Sequence, residues 1–270
     1  MLAAWLKRHY VFVWCCCHAL CALPGLRLWL GYRFGELGIN PLETLLRGSG
    51  EWALVLLIVT LTITPLRRGL TALSRAVHAR FGKRLADWNW IIRLRRPIGL
   101  YCFAYAAVHG WLYLHFDLGY DWGAAVTDLR EKPYLLMGAA ALALLTLLAA
   151  TSPNRAMRLL GGNWRRLHRG VYAAALFGIL HFWWLVKPGV LTPWPYAAAI
   201  SFLLGYRLLA HFGWLFKRPR DNGLEVASDL HLHGMPERRR SLAQTLPQSL
   251  AGAVHRRFRK RWLLRRSPSG

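Results

Sequence analysis

Apolar residues gather into six blocks along the chain, and charged segments separate them. The first block runs roughly from Tyr10 to Leu30, interrupted by Pro24-Gly25 and by Arg27. The second spans Trp52 to Pro65, and the third starts after Pro97 and reaches about Phe116. The fourth covers Tyr134 to Ala150, the fifth Gly170 to Val186, and the sixth about Pro193 to Phe212. Each is apolar all round, so none reads as the surface helix of a water-soluble fold. Nothing alternates with period two, so strands are not expected. Each block approaches the ~20 residues a helix needs to cross a hydrocarbon core. The pattern predicts an all-α fold, a polytopic membrane bundle of six transmembrane helices over residues 10–212.

Charge orients that bundle. The segment from Arg67 to Pro97 carries nine Lys or Arg against one acid, Asp87. Ser152 to Arg169 carries five Arg and no acid, and the N-terminal residues 1–9 add Lys7 and Arg8. From Arg207 onward there are fourteen more basic residues. The alternate loops hold five basic against seven acidic residues. The positive-inside rule then places both termini in the cytoplasm, in keeping with an even number of spans. The N-terminus lacks a convincing small-x-small cleavage site and reads as a retained first span rather than a signal peptide.

Composition fits this picture. The chain is 55% hydrophobic with mean hydropathy +0.23, yet its net charge is +24. Arginine facing anionic lipid headgroups accounts for the charge, and no nucleic-acid partner is called for. The five cysteines lie in apolar runs without CxxC or CxxCH spacing, which argues against zinc knuckles and covalently attached heme. Residues 213–270 form a basic cytoplasmic tail. Within it, Leu250 to Leu264 reads equally as a basic surface helix or as part of a disordered segment. The tail has no Gly-rich dinucleotide turn and is too short for a flavin or nicotinamide domain.

Ionisable residues inside spans are costly and usually functional. His109 and His181 each lie twelve residues past the mark, Pro97 or Arg169, where a parallel span begins. At 1.5 Å per residue both sit about 18 Å deep. Two imidazoles at equal depth can clamp one heme iron; the plainer alternative is that each bonds a neighbouring carbonyl. His168, thirteen residues before His181, marks a second position near the inner surface. Arg96 repeats that spacing before His109, with Arg95 beside it. Arginine is a poor metal ligand but suits a propionate. His18 and His211 are rival ligands at the inner side. His115, beside Asp117, reads as interfacial, and the Phe182-Trp183-Trp184 cluster with Trp194 and Tyr196 as an outer aromatic belt.

Several runs together resemble a known family. They are Arg95-Arg96-Pro97 leading to Ala107-Val108-His109, Ile63-Thr64-Pro65-Leu66, Arg130 to Pro133-Tyr134, Ala150-Thr151-Ser152, Trp164 to Tyr172 with His168, and Leu180-His181. Over residues 10 to 212 the chain is similar to the ferric-reductase-like membrane domain. It resembles most closely the MsrQ (YedZ) family, heme-binding subunits of a bacterial protein-methionine-sulfoxide reductase system. That resemblance implies a multi-pass protein of the bacterial inner membrane with b-type heme, one or two per chain, and FMN. It implies electron delivery from the quinone pool or a cytoplasmic flavin reductase to a periplasmic MsrP-like molybdopterin catalytic subunit. It carries the heme iron ligands onto His109, His168 and His181, and cofactor contacts onto Arg95 and Arg96. Two other readings stay open. One is another ferric-reductase-like cytochrome b with a different acceptor. The other is a non-redox channel or assembly factor in which the histidines are structural.

Overall fold

The computed structural model describes residues 9–81, 88–187 and 189–213. The described residues up to Phe212 form one compact unit. The expectations for residues 1–8 and for the tail beyond Gly213 lie outside the described residues.

Among the described residues every regular element is helical. The long helices are α1 (Tyr10–Phe34), α2 (Pro41–Phe81), α3 (Arg95–Leu112), α5 (Pro133–Ala150), α8 (Gly170–Leu185) and α9 (Trp194–His211). Each of the six apolar blocks therefore falls on a helix. Among the described residues three segments are both long and apolar enough to cross a membrane by length and composition: Tyr10–Phe34, Pro41–Ser74 and Pro133–Ala150. Short elements fill the connections. A 3-10 turn covers Asn89–Leu94, a π-helical turn Tyr113–Asp117 closes α3, and α4 is Trp122–Glu131. α6 (Asn154–Leu160) and α7 (Gly162–Leu167) occupy the basic segment before α8. Asp121 caps α4, accepting from the amides of Gly123 at 2.8 Å and Ala124 at 3.0 Å.

Two boundaries differ from the sequence reading, and both concern proline. Pro24-Gly25 does not interrupt α1. The Tyr105 hydroxyl enters the helix there, accepting from the Gly25 amide at 2.6 Å and donating to the Cys21 carbonyl at 2.9 Å. Those two groups would otherwise bond each other, four residues apart, so α3 supplies a bridge inside the backbone ladder of α1. A Cβ on Gly25 would stand 2.9 Å from that hydroxyl. Gly25→Ala is therefore expected to destabilise the protein by about 1–2 kcal/mol, and to be tolerated better when combined with Tyr105→Phe. Thermal unfolding of the detergent-purified single and double variants measures this.

Likewise α2 does not stop at Pro65 but runs on to Phe81. Proline has no N–H to give the carbonyl four residues back, here Leu61. Leu61 is fully buried, and an unsatisfied carbonyl in an apolar interior is costly. Arg207 of α9 resolves it, donating from Nη2 to the Leu61 oxygen at 2.7 Å. The two positions are thus coupled. Arg207→Met is expected to cost about 1–2 kcal/mol in the native background and distinctly less with Pro65→Ala, which restores the missing donor. Equal costs in both backgrounds, read by thermal unfolding, would break the coupling.

The core is built from two helix pairs. α2 packs most extensively against α3, and α5 against α8; α3 and α5 join the pairs. Leu54, Leu57, Leu61, Cys102, Ala174, Ala175 and Ile179 lie in the buried cluster between them. Small residues on α8 let the helices approach closely, which is how packing is gained where hydrophobic exclusion from lipid is absent.

Candidate functional site

His109 and His181 meet where the two helix pairs join. Their ring centroids are 6.1 Å apart and the ring planes are inclined by 78°. Each ring is fixed from behind by its own helix partner. His109 on α3 bonds through Nδ1 to the Leu46 carbonyl of α2 at 2.9 Å. His181 on α8 bonds through Nδ1 to the Tyr134 carbonyl of α5 at 2.7 Å. A carbonyl acceptor fixes the proton on Nδ1 and leaves the Nε2 lone pair free for other use.

The two anchors share one local design. Four residues after each acceptor stands a glycine, Gly50 after Leu46 and Gly138 after Tyr134. A helical carbonyl at position i points toward residue i+4, so a side chain there would cover its second lone pair. A Cβ at Gly50 would lie 3.1 Å from the His109 ring, and one at Gly138 only 2.7 Å from His181 Nδ1. Neither glycine stands out in the sequence; what the two share is a position four residues past the anchoring carbonyl.

The remaining sequence candidates separate. His168 follows α7 and precedes α8, so it does not share a helix with His181. The thirteen-residue spacing that would turn two positions on one helix away from each other therefore imposes nothing here. The His168 ring stacks on Trp164, centroids 4.0 Å apart, and its Nδ1 is buried and makes no hydrogen bond of good geometry. Burial holds this imidazole below the ordinary histidine pKa; the neighbouring Arg95 cation adds to that, while the Trp164 and Leu148 carbonyls oppose it. His168 is thus neutral near pH 7, with an imidazole lone pair available to a metal.

Arg95 and Arg96 diverge. Arg96 is exposed and donates to Asn154 Oδ1 at 2.7 Å. Arg95 turns inward, within electrostatic reach of His168, Tyr172 and Arg207. In the sequence Arg207 is only the first charge of a basic run, whereas in the structure it belongs to this inward group. Of the rival histidines, His18 packs on Trp14 with centroids 4.0 Å apart and meets the Tyr101 hydroxyl at 3.3 Å, and His211 is exposed beside Phe212. His115 is also exposed and stacks on Trp111 with nearly parallel planes. The aromatic cluster packs as two contacts, Phe182 with Tyr196 and Trp183 with Trp194. Among the described residues no group of three or more His, Cys, Asp or Glu could hold a bare metal ion. The paired imidazoles instead fit a metal carried in a planar macrocycle.

Comparison with known proteins identifies the family. The ferric reductase like transmembrane component family matches residues 49–179. That segment contains Gly50, Arg95, His109, Gly138 and His168 and ends just short of His181. A relative from Azospira oryzae is 40% identical over 192 residues, covering 70% of this chain and 76% of its own length. One from Herminiimonas arsenicoxydans is 39% identical over 210 residues, 77% of this chain and 88% of the relative. One from Bordetella pertussis is 42% identical over 184 residues, 67% and 81% respectively. The chain belongs to the MsrQ family. All three relatives are named protein-methionine-sulfoxide reductase heme-binding subunit MsrQ. No solved structure gives a significant match. As an MsrQ-family chain with a ferric-reductase-like transmembrane segment and apolar helices, it is a helical membrane protein.

Proposed function

We propose that this chain is the heme-holding electron-transfer subunit of a protein-methionine-sulfoxide reductase system, with His109 and His181 as axial ligands of one b-type heme. The separation of the two rings carries the reading. Two metal–imidazole bonds of about 2 Å each, plus the half-width of each ring, come to about 6 Å. The observed 6.1 Å agrees, and both Nδ1 atoms are held by carbonyls on the far side. Heme supplies a one-electron iron couple when bound there. The protein's part is to orient both imidazoles through the Leu46 and Tyr134 carbonyls. His168, with Arg95 and Arg96 on the adjoining helix end, is proposed to serve a second heme position.

The six-span arrangement in the bacterial inner membrane, with both termini cytoplasmic, belongs to the same proposal. It puts the basic end, with His168, toward a quinol or cytoplasmic flavin-reductase donor. The opposite end then faces a periplasmic MsrP-like molybdopterin subunit that reduces methionine sulfoxide in envelope proteins. FMN enters this reading through the family resemblance alone. Reduced-minus-oxidised spectra and a pyridine-hemochrome assay of the purified full chain test it. A b-type spectrum is expected; a colourless, iron-free preparation made under heme-sufficient expression would sink the reading and favour a structural role for the histidines.

A further inference from the structure

Arg207 does more than satisfy the Leu61 carbonyl. Its Nη1 donates to the Tyr172 hydroxyl at 2.5 Å, and its guanidinium sits 4.8 Å over the Tyr172 ring. Its Nε is buried and has no partner. Because Tyr172 accepts from Arg207, its own hydroxyl proton remains free to donate. Arg95 lies within electrostatic range of Arg207, of Tyr172 and of His168, whose Nδ1 is buried and unbonded. Two guanidiniums therefore share one partly buried corner of the bundle.

No described acid compensates them. Every Asp and Glu among the described residues falls in segments 36–51 and 117–131, in or beside the connections at the other end. The ion pairs there, Arg47 with Glu51 and Lys132 with Asp128, are local to one turn of helix. Two like charges drawn out of water with no counter-charge repel and lose hydration. An anion with at least two oxygens relieves both costs and matches the fork of a guanidinium.

We infer that Arg207, Arg95 and the Tyr172 hydroxyl form an oxyanion site next to His168, taking a carboxylate or phosphate group of a bound ligand. A heme propionate and a lipid phosphate are the two sources with this chemistry. The first rests on the heme reading above; the second does not.

The test uses the full chain purified in detergent, in a Pro65→Ala background where the Leu61 carbonyl has its ladder donor back and Arg207 is not needed for folding. Arg207→Gln and Arg207→Lys are compared with the parent. One arm titrates hemin against hemin dimethyl ester, in which both carboxylates are masked. The other counts bound phosphatidylglycerol against phosphatidylcholine by native mass spectrometry. If the oxyanion is a propionate, the parent binds hemin at least about tenfold more tightly than the ester, Gln erases the preference and Lys keeps part of it. If it is lipid phosphate, the hemin pair shows no preference, and tightly bound phosphatidylglycerol disappears in Gln but not in Lys. Should hemin and its ester both fail to bind the parent, the heme reading falls while the lipid arm still decides the site. Ligand preferences in both arms that do not change on Arg207→Gln overturn the inference.

Discussion

His109→Ala and His181→Ala are each expected to abolish the low-spin signal of the heme between them, with apparent affinity at that position falling by more than about 100-fold. The bound follows from scale: loss of a group that merely orients a metal ligand already costs about 10–100-fold, and here the ligand itself goes. The two variants should look alike, because either leaves the iron with one protein imidazole. His168→Ala should leave this signal in place and remove only what belongs to the position beside Arg95. The mutual inclination of the rings, 78°, adds a sharper expectation. Nearly perpendicular imidazole planes favour neither of the two iron dπ orbitals, so the oxidised site should give a strongly anisotropic low-spin EPR signal. An unchanged heme spectrum in His109→Ala or His181→Ala would remove that residue from the ligand set. A rhombic signal of the kind given by parallel rings would mean that the imidazoles rotate on binding.

The pairing of His109 with His181 is legible in the sequence because depth in a membrane helix is a count of residues. Twelve residues from each boundary residue places both rings at one level, and the apolar blocks fall almost residue for residue on α5, α8 and α9. What the count does not supply is the arrangement around the helix axes and everything that depends on tertiary partners. Pro65 reads as an end because proline removes a hydrogen bond, yet the helix continues since a side chain 142 residues later supplies the donor. Pro24 is kept inside α1 next to a bridge made by a tyrosine of another helix. At Pro65 the local rule holds and a distant residue meets its cost; at Pro24 the distant residue bridges the neighbouring Cys21–Gly25 step instead. Arg207 escapes notice in the sequence for the related reason that a charge near the start of a basic tail carries no mark of its direction. Only its bonds to Leu61 and Tyr172 show that it turns inward.

Gly138→Ala is expected to cost the His109–His181 position about 10–100-fold in heme affinity without touching a ligand. The added Cβ would stand 2.7 Å from His181 Nδ1, 3.0 Å from Cε1 and 3.2 Å from Cγ. Real Cβ atoms do not come that close, so something must shift, and the ring is pinned by its 2.7 Å bond to Tyr134. Moving the ring away breaks that bond, frees the tautomer and displaces Nε2 relative to His109. Gly50→Ala meets the His109 ring at 3.1 Å, where a few tenths of an ångström suffice, and a loss of only a few-fold is expected. Helix propensity works in the opposite direction, since alanine favours a helix interior over glycine by about 1 kcal/mol. A fall in heme binding therefore does not come from a weaker α5. Gly110→Ala provides the control at the α3–α5 junction. Its Cβ would meet the tip of Leu142 at 2.9 Å, a flexible methyl that can turn aside, and heme content should stay near the parent level. Pyridine-hemochrome titration of the three variants, with thermal unfolding measured on the same samples, separates a displaced imidazole from a loosened bundle. Full heme affinity in Gly138→Ala would mean that the Tyr134 carbonyl does not fix His181.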